Sequence, residues 1–283
     1  MFHFPIGAML NSFRQETKEA VRSAAAIGVQ GLQMYATTGE NAPENLTGEK
    51  RRELLRFVKD QGLAFSAICG DLGKAFVIPE RNVMLIEASK RIMDLAKELE
   101  TDVVTTHIGV IPADKSCDRY KIMQAAAYEL AQYADSVGAH FAIETGPEIA
   151  VTLKAFLDDL GSTGVAVNLD PANFAMVTKD DPVQAVYTLQ KYIVHTHAKD
   201  GVNLKPCNPE DIYAEMDHGA WDQEPAFREM PLGQGAVDFP AYLKALEEIG
   251  YKGFLTIERE VGENPTADIK LASDYLKHLM GTL

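Results

Sequence analysis

Along this chain an amphipathic stretch, often closed by a glycine, gives way repeatedly to a short apolar run that stops at a polar side chain. The stretch ending at Gly28 leads into 31–35 (GLQMY) and the one ending at Gly62 into 63–68 (LAFSAI); both read as helix, C-terminal glycine, strand. The same pattern predicts strands over 103–107, 140–144, 165–170, 192–197 and 253–258, and the opening 4–9 makes eight. Between them lie helical spacings such as Val83, Ile86, Ile92, Leu95 and Leu99, or Tyr242, Leu243, Leu246 and Ile249.

Strands alternating with helices imply parallel βα units, and eight units in about 250 residues match a closed barrel better than an open doubly wound sheet. The expected fold is therefore α/β, a (β/α)8 barrel filling residues 1–283 as a single domain. No GxGxxG or GxxxxGK[ST] follows a strand, so there is no glycine cradle for a nucleotide cofactor. One connection breaks the rhythm: about 40 residues separate Lys199 from Asp238 before helical spacing resumes. This long loop after strand seven holds the single tryptophan, Trp221, with Asp217, His218 and Arg228, and suits a lid over the barrel mouth. The competing expectation is a surface excursion used for contacts between subunits.

Composition narrows the function classes. At 283 residues and 46% hydrophobic, the chain can build a core without staples. Twenty-seven Lys and Arg against 41 Asp and Glu leave a formal charge of −14, which argues against a protein that binds nucleic acid through its phosphates. Cys69, Cys117 and Cys207 lie far apart with no CxxC, which excludes a disulfide framework and a thiolate zinc cluster and makes a reducing cytoplasm the expected location. The N-terminus carries no basic leader pattern and no apolar run approaches the roughly 18 to 20 residues of a membrane span, so a soluble, unprocessed chain is expected.

In a (β/α)8 barrel the βα loops converge where the strands end, which makes the strand-terminal polar residues the place to seek chemistry. Strands five to eight end in Glu144, Asp170, His197 and Glu258. Side chains alternate along a strand, so each shares a face with the residue two earlier, Ala142, Asn168, His195 or Thr256; if that face points inward the four converge. Any one alone is more often a helix cap or the partner of a nearby Lys or Arg. Together, three carboxylates and one imidazole cannot neutralise one another in a barrel interior, whereas a divalent cation can neutralise them. The hard, mainly oxygen donor set favours one Mn²⁺, Mg²⁺ or Co²⁺ ion, with Zn²⁺ left open. His195, one layer deeper, reads as support for a ligand rather than as a ligand. His107, at the end of strand four, reads as a substrate-binding residue, with a second metal as the alternative, and Glu260 reads as solvated.

The segments Ala142-Ile143-Glu144, Leu169-Asp170-Pro171-Ala172-Asn173, HxHxKD over 195–200, LGxGxVDF over 232–239 and GFLxIE over 253–258, in this order, resemble the xylose isomerase-like TIM-barrel superfamily and, within it, the sugar phosphate isomerase/epimerase branch. The resemblance spans nearly the whole chain. It implies one divalent metal on Glu144, Asp170, His197 and Glu258, the set already reached from spacing. It also implies a sugar or sugar phosphate isomerase or epimerase working through a cis-enediolate. In the ketose 3-epimerase members the two ligand glutamates also move the protons, which gives Glu144 and Glu258 the catalytic role here. Asn173 and Asn203 stand where many epimerases carry a substrate-contacting His and Arg. The expected substrate-binding residues are His107, Asn173, Lys199, Trp221 and Arg228. Loss of a β-hydroxyl from the same enediolate would make the chain a dehydratase of an inosose-type keto-sugar, which is the alternative. Endonuclease IV shares the barrel, but Cys69 and Asp71 stand where a strand-three His is expected and Asn173 replaces another, which counts against DNA repair. Intact ligands count against a non-catalytic sugar-binding relative. The expected partner is a small carbohydrate, not nucleic acid or a membrane, and relatives of this kind are often homodimers or homotetramers.

Overall fold

In the computed structural model, which describes residues 2–213 and 225–282, the strands stand where the alternation places them. They are β1 (Ile6–Met9), β2 (Gly31–Tyr35), β3 (Ala64–Cys69), β4 (Val103–Thr106), β5 (His140–Glu144), β6 (Val165–Leu169), β7 (Ile193–Ala198), β8 (Asp200–Asn203), β9 (Phe227–Met230) and β10 (Leu255–Ile257). Eight of them, in the order β1-β10-β7-β6-β5-β4-β3-β2, close a barrel in which every neighbouring pair is parallel. The other two, β8 and β9, form a separate antiparallel ribbon inside the long connection. The expected (β/α)8 barrel is therefore the fold.

The surrounding helices are α1 (Thr17–Ile27), α2 (Gly48–Asp60), α3 (Pro79–Glu98), α4 (Asp118–Val137), α5 (Ala150–Leu160), α6 (Pro182–Leu189), α7 (Phe239–Glu248) and α8 (Pro265–Thr282). Each presents one apolar stripe to the sheet. In α4 the buried positions Tyr120, Met123, Ala127, Leu130 and Ala134 recur at three and four residues. The expected stripe of α7 is found on Tyr242, Leu243 and Leu246. That of α3 starts differently: Val83 is 67% exposed, because Asn82 takes the inward position and donates its amide to the Phe76 carbonyl at 3.0 Å. Among the described residues no helix is long and apolar enough to cross a membrane.

The barrel interior departs from the layers of branched aliphatic side chains that usually fill this fold. Ala67, Val103, Ala142 and Ala166 form a small apolar plug with Val194 against it. Two residues further along β4 and β6 the interior turns polar with Thr105 and Asn168, and His195 and Thr256 are buried as well, beside Gln33 and Ser66. Polar side chains at this depth are tolerated only when partnered, and the partners they choose define the site above them.

Candidate active site

Glu144 ends β5, Asp170 follows β6, His197 lies in β7 and Glu258 follows β10, and strand alternation turns all four inward at the mouth. One ligand atom from each lies within 4.8 Å of the others, and all four residues are buried. His197 Nδ1 is the centre of the group, 3.3 Å from Asp170 Oδ2, 3.3 Å from Glu258 Oε2 and 3.5 Å from Glu144 Oε1. Burial works against charge on this imidazole, yet Glu258 and Glu144 outweigh it and raise its pKa well above the ordinary value. A proton there fills the role of a cation among three carboxylates. The set fits a divalent ion: three oxygen donors and one nitrogen converge, and their negative charge would be neutralised by one.

Hydrogen bonds to these residues aim the converging atoms at the site. Asp170 Oδ1 accepts from the Ala172 and Asn173 N–H groups at 2.8 and 3.0 Å, capping the turn after β6 and leaving Oδ2 for the site. His197 Nε2 donates to Gln33 Oε1 at 2.9 Å, which points Nδ1 at the carboxylates, and Gln33 Nε2 in turn donates to Thr105 Oγ1 at 2.8 Å. Asn168 Nδ2 donates to Glu144 Oε2 at 3.0 Å, and Asn173 Nδ2 to Glu144 Oε1 at 3.2 Å. Burial and the charge on His197 drive the His195 pKa well down, so His195 is neutral. Its Nδ1–H donates to Asn168 Oδ1 at 2.8 Å while Nε2 accepts from Thr256 Oγ1 at 2.8 Å. His195 thus supports Glu144 through Asn168, the supporting position expected of it.

A cavity of about 200 Å³ opens over this group, lined by Glu144, Glu258, His107, Asn173 and Lys199 together with Asp71, Tyr35, Cys69 and Tyr213. His107 Nδ1 donates to Asp71 Oδ2 at 2.9 Å; its Nε2 is buried, lacks a partner and lies 3.8 Å from Glu144 Oε1. Burial would lower the His107 pKa, but Glu144 and Asp71 outweigh it and raise it to about 9, so both ring nitrogens carry protons. Lys199 Nζ donates to Glu258 Oε2 at 3.0 Å and pairs with Glu260 Oε2 at the same distance. Burial opposes its charge, the two glutamates prevail, and Lys199 stays an ammonium. Glu258 is tied to it: burial would raise the carboxyl, but Lys199 and His197 hold it below the usual carboxylate range. The Cys69 thiol is pushed up by burial and Asp71.

The long connection reaches the mouth through the one-turn helix Glu210–Tyr213 and through Phe227, which with Ile212 and Tyr213 line the cavity. The Tyr213 ring lies against that of His107, centroids 4.9 Å apart. Trp221, with Asp217 and His218, lies outside the described residues. Arg228 is exposed on β9 opposite Val202 and is not among the cavity residues; its neighbour Phe227 is. Glu260, expected to be solvated, has a 61% exposed side chain and pairs with Lys199 while lining the cavity rim. Asn203 donates to the Met176 carbonyl at 2.6 Å. Sequence reasoning missed Gln33, Asp71 and Tyr213. Gln33 had a usable signal, a lone amide at the inward position of β2, and Asp71 stands just past the end of β3, whereas nothing local marks Tyr213.

A family model described as xylose isomerase-like TIM barrel matches residues 21–279. Among solved structures, a xylose isomerase domain protein from Planctomyces limnophilus is 25% identical, with a TM-score of 0.79 over 98% of this chain and 96% of its own. The probable 3-DHS dehydratase AsbF from Bacillus anthracis is 18% identical, TM-score 0.76, over 97% of this chain and 99% of its own. The 3-keto-D-glucoside 4-epimerase YcjR from E. coli is 17% identical, TM-score 0.73, over 98% and 100%. These last two likenesses are of fold. The family match covers most of the chain and agrees with the closed barrel and its strand-end cluster, so this chain belongs to the xylose isomerase-like TIM barrel family.

Proposed function

We propose that the chain is a divalent-metal-dependent isomerase or epimerase of a keto-sugar that works through a cis-enediolate. The observation that carries this reading is the pair Glu144 and Glu258, set on strands separated by β6 and β7, converging on one candidate metal position and lining one cavity. An epimerase and a dehydratase among the structural neighbours support it in kind.

A divalent cation held by Glu144, Asp170, His197 and Glu258 supplies a Lewis acid for a carbonyl oxygen and stabilises enediolate charge. The chain's own groups do the rest. Glu258, kept ionised by Lys199 and His197, is in the state to take a proton from the carbon beside the carbonyl. Glu144, oriented by the amides of Asn168 and Asn173, faces the same space and can return or remove a proton from another side. Return to the same carbon epimerises; return to its neighbour isomerises. His107 offers Nε2–H to a substrate oxygen, with Asp71 fixing the ring, and Tyr213 and Phe227 exclude water. Lys199, protonated and paired, positions Glu258 rather than acting as a base. The protonated His107 also favours a second reading, in which it donates to a departing β-hydroxyl and the product has lost one water.

Incubating the Mn²⁺-loaded protein with ketoses and keto-sugars in D₂O tests both. Deuterium at the carbon beside the carbonyl, read by NMR, is the expected result, and mass spectrometry reports any loss of water. Glu144→Gln and Glu258→Gln should lose turnover far more than Mn²⁺ binding, because an amide oxygen still coordinates but takes no proton. Near-normal turnover in both variants would overturn the two-carboxylate mechanism.

A further inference from the structure

Barrels of this fold commonly bind phosphate beside their last two strands, where backbone N–H groups and a helix N-terminus form an anion cradle. Here that cradle exists and is filled from within. The glycine loop at 232–239 turns its N–H groups inward onto Asp200: Gly233 and Gly235 donate to Oδ2 at 3.0 and 2.8 Å, and Val237 and Gly201 donate to Oδ1 at 3.1 and 2.8 Å. Asp200 is 1% exposed. A Cβ on Gly235 would overlap Asp200 Oδ1, and Gly233 holds φ at 82°, so the loop is shaped around the carboxylate. The neighbouring N-termini are closed likewise: Asp238 accepts from Ala241 N at 3.1 Å at the start of α7, and Asn264 from Ala267 N at 3.2 Å at the start of α8.

Among the described residues the cavity supplies no replacement cation. Among the described residues that line it, the basic ones are Lys199, held between Glu258 and Glu260, and His107, held by Asp71. Of the arginines near the mouth, Arg14 donates to the carbonyls of Gly262 and Glu260, Arg259 pairs with Glu229 and Asp268, and Arg228 is exposed on β9 outside the cavity lining. The carboxylates of Asp71, Glu144, Asp170, Glu258 and Glu260 outnumber the positive charges that a divalent ion, Lys199 and a protonated His107 could bring together. At about 200 Å³ the cavity is also small against the roughly 300 to 1,000 Å³ of drug-sized sites.

We propose, resting on the keto-sugar reading above, that the substrate is an uncharged monosaccharide-sized keto-sugar and that this site rejects sugar phosphates. Hydroxyl groups find matching partners in His107 Nε2 and the tyrosines of the cavity, whereas a phosphate dianion meets excess carboxylate and a cradle already occupied by Asp200.

The test pairs each free ketose with its phosphate ester, D-fructose with D-fructose 6-phosphate and D-xylulose with D-xylulose 5-phosphate, on the wild-type, Mn²⁺-loaded protein. Deuterium exchange from D₂O should be faster, in kcat/KM, for the free sugar of a pair by about tenfold or more, as expected when like charge is excluded from a partly buried site. A preference for the ester would overturn the proposal. A second arm needs no turnover: inorganic phosphate should neither raise the Tm of the Mg²⁺-loaded protein nor bind in calorimetry, and saturable phosphate binding would overturn the proposal. Absence of exchange with every sugar and ester would count against the keto-sugar reading itself, while the phosphate arm still decides the charge question.

Discussion

Glu148 gives the most direct test of how the mouth is built. It follows β5 and is 7% exposed; Oε2 accepts from the Ile111 N–H at 3.0 Å, and Oε1 is buried without a partner. Burial raises its pKa, the Ile111 hydrogen bond and the charge on His107 oppose the rise, and the net result is a carboxyl lifted from 4.5 to about 8. At neutral pH the native protein therefore holds a proton there that the unfolded chain has released. Stability from this group is fully present below pH 4.5 and is lost as pH rises through 8, at about 1.4 kcal/mol per pH unit between the two values. The accumulated loss above pH 8 is on the order of 5 kcal/mol. Glu148→Gln keeps the shape and the acceptor for Ile111 and removes the titration. Urea unfolding of both proteins at pH 5 and pH 9 should give stabilities within about 1 kcal/mol at pH 5 and a variant more stable by on the order of 5 kcal/mol at pH 9, a Tm rise of roughly 10 °C for a chain of this size. Apart from His107, whose charge is coupled to Glu148, the other groups titrate equally in both proteins and cancel. A difference between them that does not change with pH would refute the reasoning.

Gln33→Leu leaves the Nε2–H of His197 facing an apolar side chain, so calorimetric Mn²⁺ affinity should fall about 10 to 100-fold, with a stability loss of about 1 to 3 kcal/mol; unchanged affinity would free Gln33 of its orienting role. His197→Ala removes a proposed ligand outright and should weaken Mn²⁺ at least as much, with excess Mn²⁺ restoring turnover in part. Gly235→Ala drives a methyl into Asp200 Oδ1 and should cost about 1 to 3 kcal/mol in chemical denaturation, and a neutral result would mean that the loop does not depend on Asp200.

The chain order of strands and helices and the inward positions of Glu144, Asp170, His197 and Glu258 were legible in the sequence, because alternation and helical spacing are local properties of neighbouring residues. Strand ends were placed to within two residues for the same reason. Local spacing misjudged Val83, since a single polar residue, Asn82, found a carbonyl to satisfy and turned the first turn of α3. Partnerships across the barrel obey no such spacing. The register shift between Val167 and Asn168 sets Asn168 beside His195, which lets one amide link that histidine to Glu144. Gln33 meets His197 from 164 residues away, His107 finds Asp71 across the β3 and β4 loops, and Tyr213 comes down on His107 from the long connection. Asp200 closes on N–H groups up to 37 residues further along the chain. Each of these contacts exists only because closing the barrel brings the strand ends within hydrogen-bond reach and because a buried polar group must take whichever partner that closure provides.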